Sequence, residues 1–282
     1  MDDPQFHRLL QYFGYSPEGY RRVRKGVKKR LRRHMQALGC QCLESYLDAI
    51  AASPRARRAC LRRLSVPISR FMRDAAFWET LAHQILPDLV HRFGAPLAVW
   101  SAGCACGEEA YSLAITARTA RAHMPLNRTL LTILATDRNP AFLNRAREGV
   151  YPRSSFRELS AEQLTRHFTA LKGRRRFRIR AEHKAGIDWL CCDIESLPST
   201  TCFNLILLRN NILTYCDPAG RERGLRRVLA HLHPGGVLVI GERERLPAAA
   251  KGLNAAFGLP YVFKQHGGHP SVCEGALQSD TE

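Results

Sequence analysis

VWSAGCACGEEAYSLA, residues 99–114, joins an apolar run to a helical pattern through a turn of small residues. Leu97 to Trp100 are apolar, Ser101 to Gly107 are mostly small, and Ala110, Leu113, Ala114 and Ala117 recur at helical spacing. This predicts a buried strand, a turn and a helix start. Gly103 and Gly107 have no side chain, which lets a ligand approach the backbone closely. The helix N-terminus adds free N–H groups. Glu108 and Glu109 follow at once, so the turn is a poor phosphate cradle and suits a cationic or hydroxyl-rich ligand.

Downstream, apolar runs alternate with helical patterns. Leu130–Thr136, Ile187–Cys192, Phe203–Leu208, Val237–Ile240 and Tyr261–Lys264 read as strands. Pro140–Glu148 and Arg221–Leu232 read as helices. Such alternation predicts an α/β fold, a mostly parallel sheet with helices on both faces. Residues 156–186 break the pattern with a Ser160/Gln163 capping signal and the charged run KGRRRFRIRAEHK, so a small β insertion is expected there. Residues 266–282 are polar and read as a tail.

Upstream, residues 1–90 read as a helical domain, and Arg92–Pro96 as a linker into a second domain spanning 91–265. The second predicted helix, Glu18–Leu38, carries an apolar stripe of Val23, Val27, Leu31, Met35 and Leu38. Nine basic residues stand between Arg21 and Arg33 with no acid among them, which suggests a docking face. Pro67 precedes a polar loop tipped with Arg73, and Phe77, Leu81 and Ile85 then give a helix.

The formal net charge of +18 over 282 residues implies an acidic partner. No apolar run reaches the roughly 18 residues of a membrane span. The first residues, MDDPQFHRLLQYF, lack a signal-peptide core, so a cytoplasmic location is expected. The ten cysteines form no CxxC pair, His231-x-His233 is a poor metal signal, and no metal site is expected.

In a doubly wound sheet, ligands lie at the carboxyl ends of the strands. Those ends carry Ser101–Gly107, Asp137, Asp193–Ile194 and Arg209–Asn210–Asn211. Asp137 reads either as an acceptor for ribose hydroxyls or as a cap on the Pro140 helix. The turn is neither GxGxxG nor a P-loop. A nucleoside cofactor without a pyrophosphate fits best, with S-adenosylmethionine and methyl transfer preferred over hydride transfer.

SAGCACGEEAYSLAI resembles the glycine motif of the CheR family, the chemoreceptor glutamate methyltransferases. PISRFMRD, ATDRNPAFLNRAREGVY, LSAEQLTRHF, NLILLRNNILTYCD and LHPGGVLVIGERE resemble further family blocks in the same order. The resemblance implies a Rossmann-like class I methyltransferase sheet, a small inserted β-subdomain and an all-α N-terminal domain. It implies an S-adenosylmethionine-dependent, monomeric enzyme that esterifies glutamates on receptor helices. The basic helix around Arg21–Arg33 would then dock the acidic receptor region. By motif position, cofactor contacts fall on Ser69, Arg73, Gly103, Glu109, Asp137, Asp193, Ile194, Asn210 and Asn211. Arg73 and Tyr215 match the family's catalytic pair.

Pro67, Ser69, Met72, Asp193, Asn210, Thr214 and Cys216 depart from the family pattern, and Arg209 stands one place from the expected arginine. These departures motivate an alternative, a non-catalytic or weakly active CheR-like binding module. The charge motivates an RNA methyltransferase, against which stands the lack of an NPPY-like motif.

Overall fold

The computed structural model describes residues 1–266 except 68, 123, 125–129, 174, 199 and 249. Beyond His266 the expected tail lies outside the described residues.

Residues 1–64 form a helical unit of α1 (Asp3–Tyr12), α2 (Pro17–Tyr20), α3 (Arg24–Ala37), α4 (Leu43–Ala52) and α5 (Pro54–Leu64). Asp2 and Gln5 close a capping box on α1, and Ser53 accepts the Ala56 N–H ahead of Pro54 on α5. Phe6, Leu10, Leu31, Tyr46, Ile50 and Leu64 meet in a core of their own. The helix expected over Glu18–Leu38 is two helices. Tyr20 is buried against Tyr215, with ring centroids 4.9 Å apart. The chain turns at 21–23 and α3 starts afresh, which puts Val27, Leu31 and Met35 inward. Leu38, past the end of α3, is 39% exposed.

The basic run is also less bare than expected. Lys28 and Arg24 face Asp3 at 2.7 and 3.8 Å, and Arg21 faces Glu18 at 3.8 Å. Arg30 donates to the Arg63 and Ser65 carbonyls, both at 3.0 Å, and so closes the end of α5. Arg22, Lys25, Lys29, Arg32 and Arg33 stay exposed.

α6 (Ala75–Thr80) passes through a π turn, Leu81–Ile85, into α7 (Leu86–Phe93). The wider turn sits where the Pro87 ring would crowd a carbonyl one turn back. Phe77, Trp78, Leu81, Ile85 and Leu89 pack into the core of the sheet, not that of the helical unit. Residues 71–90 therefore belong with the sheet, where a single helical segment over 1–90 was expected. Arg92 is still helical and donates to the Gly235 carbonyl, so the expected linker shrinks to residues 94–96.

β1 (Leu97–Ala102), α8 (Glu108–Arg121), β2 (Leu131–Thr136) and α9 (Pro140–Glu148) follow. The insertion contains β3 (Val150–Pro152), α10 (Ala161–His167), β4 (Phe168–Ala170) and β5 (Arg176–Ile179). It is an antiparallel sheet in the order β3-β5-β4, so it opens at Val150 rather than near 156. Ser160 and Gln163 form the expected capping box on α10. Then come β6 (Ile187–Leu190), β7 (Phe203–Leu208), α11 (Ile212–Tyr215), α12 (Pro218–Leu229), β8 (Leu232–Ile240), β9 (Leu253–Ala256) and β10 (Leu259–Gln265).

The large sheet runs β6-β2-β1-β7-β8-β10-β9. β6, β2, β1, β7 and β8 are parallel, while β10 runs antiparallel to β8 and β9. This is the expected Rossmann-like α/β sheet; β10 contains the strand expected at Tyr261–Lys264, and β9, which the apolar pattern did not show, pairs with it at one edge. The strand order reverses between β1 and β7, which makes their carboxyl ends the natural ligand crevice. Among the described residues, no helix is long and apolar enough to cross a membrane.

Candidate functional site

The turn after β1 is fixed by backbone bonds. The Gly103 and Cys104 N–H groups both donate to the Thr136 carbonyl at 2.8 Å, tying the turn to the end of β2. Gly103 and Gly107 have φ of +79° and +91°, which glycine adopts without strain. The room each leaves is filled by protein. A Cβ on Gly103 would lie 1.7 Å from Asn211 Nδ2, and one on Gly107 would lie 2.8 Å from Ala146 Cβ. Gly107 thus serves helix packing rather than the ligand approach expected of it. Cys104 and Cys106 are buried thiols, and burial holds Cys106 up at about 12.

The two acids after the turn diverge. Glu108 is 3% exposed and faces Ser155, its Oε1 3.4 Å from the hydroxyl. Glu109 turns to the strand ends, where Ser101 Oγ donates to it at 2.7 Å and Arg209 at 3.3 Å. Burial raises the Glu109 carboxyl, and Arg209 and Ser101 oppose it.

Asp137 ends β2. Its Oδ2 accepts the Ala105 N–H at 3.1 Å and its Oδ1 accepts the Asn139 N–H at 2.8 Å. Asn139, not Asp137, caps α9. Asp137 therefore braces the β1 turn, and each oxygen keeps a lone pair for a further donor. Burial raises its carboxyl against the pull of those two N–H bonds. Asp193 caps the short turn after β6, and Ile194 beside it is buried.

Arg209 ends β7 with its side chain only 3% exposed. It bonds Asp74 at 2.5 Å, Glu109 at 3.3 Å and the Arg73 carbonyl at 3.0 Å, and lies over the Phe77 and Trp78 rings. This hub holds a tight turn in which Met72 and Asp74 both have positive φ. Such strained residues persist only where surroundings over-determine them. Here Ser112 accepts the Met72 N–H and Trp78 donates to the Arg73 carbonyl, which leaves Arg73 at the tip. Asn210, at φ +55°, gives its N–H to Glu244, which also binds Thr214 and the Gly241 N–H. Sequence reasoning missed Asp74 and Glu244, and placed Arg209 at a strand end without seeing its role as a hub. Arg209 was visible as a charge at the end of an apolar strand.

The helical unit reaches into this region. The Ser16 N–H donates to the Tyr215 carbonyl at 2.8 Å, and the Asp217 N–H to the Gly14 carbonyl at 2.9 Å. A Cβ on Gly19 would sit 2.1 Å from the Thr214 carbonyl, so only glycine permits this approach. Burial raises the Tyr215 phenol above its usual range, and Arg73 opposes it. The phenol stays protonated at neutral pH.

These elements enclose a cavity of about 360 Å³. Gly103, Asp137, Asp193, Ile194, Asn210, Asn211 and Tyr215 all line it. Ser69, Arg73 and Glu109 line an adjoining recess that shares Val66, Gly103, Ala105 and Asn210 with the cavity. Every residue expected at the site thus borders one of two neighbouring spaces at the β1/β7 switch point. The volume suits a nucleoside-sized ligand. Asp137, with acceptor capacity to spare, stands where ribose hydroxyls need an acid. The residues present fit S-adenosylmethionine. Among the described residues, no cluster of His, Cys, Asp or Glu could hold a metal ion.

Comparison with known proteins agrees. Residues 68–260 match the family profile "CheR methyltransferase, SAM binding domain". A probable chemotaxis protein methyltransferase of Rhizobium etli is 31% identical over 80% of this chain and 85% of its own length. A chemotaxis protein methyltransferase of Listeria monocytogenes is 33% identical over 65% of this chain and 67% of its own. An uncharacterised 104.1 kDa protein of Rhodobacter capsulatus is 34% identical over 78% of this chain, which spans only 23% of that protein. Sheet order, crevice and sequence similarity together place this chain in the CheR family of S-adenosylmethionine-dependent methyltransferases.

Proposed function

We propose that this chain transfers a methyl group to glutamate carboxylates on an acidic helical segment of a chemoreceptor-like protein. The observation that carries the reading is the position of Val66. It borders the cavity, the Arg73 recess and an open groove lined by Arg21, Arg22, Arg24, Lys25 and Arg30. An anionic side chain led along that groove arrives where the two other spaces meet.

S-adenosylmethionine, when bound, supplies an electrophilic methyl group. Asp137 would hold its ribose, and Asp193 with Ile194 its base. The chain's own task is alignment. A glutamate carboxylate has a reference pKa of about 4.3 and needs no general base at neutral pH. Arg73, at the tip of its braced turn, orients the incoming carboxylate. Tyr215, protonated and packed on Tyr20, positions the reacting groups through its hydroxyl. Such positioning is worth several kcal/mol of barrier by itself.

The test is transfer of labelled methyl from the cofactor to receptor cytoplasmic fragments by the full chain. Base-labile label on glutamate supports the reading. Label on RNA, or cofactor binding without transfer to any acidic helical fragment, overturns it.

A further inference from the structure

We propose that Glu244 is a positioning residue for methyl transfer, acting through Tyr215 by holding both ends of the segment Asn210–Thr214. This rests on the reading of Tyr215 as the residue that positions the reacting groups.

α11 has only four residues, too few to hold a helix by themselves. Tyr215 therefore stands where the flanking chain puts it. On one side the helical unit grips it, with the Ser16 N–H on its carbonyl and the Tyr20 ring against its ring. Those contacts do not fix the approach from β7. That approach begins at Asn210, whose φ of +55° lies in the left-handed region. Such a residue persists where its surroundings hold it, and here a carboxylate does. Glu244 Oε2 accepts the Asn210 N–H at 2.9 Å, and Oε1 accepts the Thr214 hydroxyl at 2.5 Å. One side chain thus ties the first residue of the segment to the last before Tyr215.

Glu244 is itself well held. It is 7% exposed, and its Oε2 also accepts the Gly241 N–H at 2.7 Å. Its own N–H donates to the Gly241 carbonyl at 2.8 Å, so the turn after β8 closes on itself. A Cβ on Gly241 would lie 2.8 Å from Glu244 Oε2 and 2.9 Å from Asn210 Nδ2, so glycine keeps the space that the carboxylate needs. A carboxylate that merely capped its own turn would need only the Gly241 N–H. This one reaches back 30 residues with its other oxygen, to a hydroxyl at a position that departs from the family pattern. It also lies near enough to act on the Tyr215 phenol, which burial raises, Arg73 lowers and Glu244 raises further.

The experiment measures methyl transfer to receptor fragments by the full chain, calorimetric S-adenosylhomocysteine affinity and amide hydrogen exchange. Glu244→Ala should lower kcat about tenfold, with KM for the fragment and S-adenosylhomocysteine affinity within about twofold. Amide exchange at Asn210 should quicken in the same variant. In Glu244→Gln the amide oxygen can still take both N–H groups and the amide nitrogen can donate to Thr214, so most of the loss should be restored. In a Tyr215→Phe background Glu244→Ala should add no further loss, because its effect runs through that hydroxyl. Thermal melting shows which variants fold. Thr214→Val removes one grip, should cost about threefold in kcat, and decides the matter if Glu244→Ala does not fold. Full turnover in the folded variants overturns the inference. So does an undiminished further loss in the Tyr215→Phe background, an equal loss of kcat and cofactor affinity, or Glu244→Gln no better than Glu244→Ala. If the wild-type chain transfers no methyl to any fragment, the proposed function itself falls. Wild-type transfer with unaffected variants removes the role of Glu244 alone.

Discussion

The turns after β1 and after β7 meet at one sheet edge and are held differently, for the Asp137 carboxylate on the Ala105 N–H is joined in the first by backbone bonds and the second rests on side chains. Gly103 and Cys104 hang from the Thr136 carbonyl by their own N–H groups. Arg209 to Thr214 is held by side chains from far along the chain, with Glu244 taking the Asn210 N–H and the Thr214 hydroxyl, and Arg209 reaching to Asp74 and Glu109. A turn held mainly through its own N–H groups is written in adjacent small residues. A turn held by remote carboxylates has no local signature. The first turn is therefore expected to tolerate side-chain changes that the second does not.

The largest effect should come from Arg209→Met. It leaves Asp74 and Glu109, 17% and 14% exposed, without their shared cation. Removing one member of such a buried network typically destabilises by about 3–5 kcal/mol. Urea denaturation should show a loss of that order, and adding Asp74→Asn should recover part of it. A loss below 1 kcal/mol would mean that the second turn, like the first, is held by its backbone.

Gly103→Ala tests the one place where the turns interlock, since the added Cβ must displace the Asn211 amide. Overpacking and a left-handed backbone together should cost about 2–3 kcal/mol. Adding Asn211→Ala should remove the steric share and leave about 1 kcal/mol of backbone strain. No recovery in the double variant would show that the strain lies wholly in the first turn.

Tyr215→Phe removes a hydroxyl in the second turn's helix without altering its packing on Tyr20. Turnover should fall about tenfold, equivalent to roughly 1.4 kcal/mol, while S-adenosylhomocysteine affinity stays within about twofold. Equal losses in both would assign Tyr215 to cofactor binding alone.

The same contrast explains what could be read beforehand. The β1 turn, the strand ends and Asp137 were legible because period and small residues act over a few neighbours. Charge could be counted, but not that Asp3 would neutralise Lys28, 25 residues away. Gly19 looked like an ordinary helix residue, because its reason is a carbonyl at Thr214 that only the fold brings near. Residues 71–90 carry a helical pattern, and pattern does not say which of two cores will receive it. Glu108 and Glu109 are adjacent and chemically identical. The resemblance pointed to Glu109 as the contact, and the structure puts it in the recess, yet with both oxygens already engaged by Ser101 and Arg209.

That pair offers the smallest and most discriminating test. Glu108 Oε2 has no hydrogen-bond partner among the described residues, and burial raises its carboxyl above the usual range. The folded chain then keeps this proton to higher pH than the unfolded chain does. Stability from this group is full below the ordinary carboxyl range and declines as pH rises through the raised folded value. Glu108→Gln keeps the shape and removes the charge, so it should flatten that decline and stabilise the protein at neutral pH. Glu109→Gln removes a partner of Arg209 and should destabilise instead. Opposite signs for neighbouring, like substitutions would show that the first turn's backbone carries no dependence on the Glu108 charge, while the second turn depends on the charge of Glu109. Destabilisation by both would mean that the first turn too is held electrostatically.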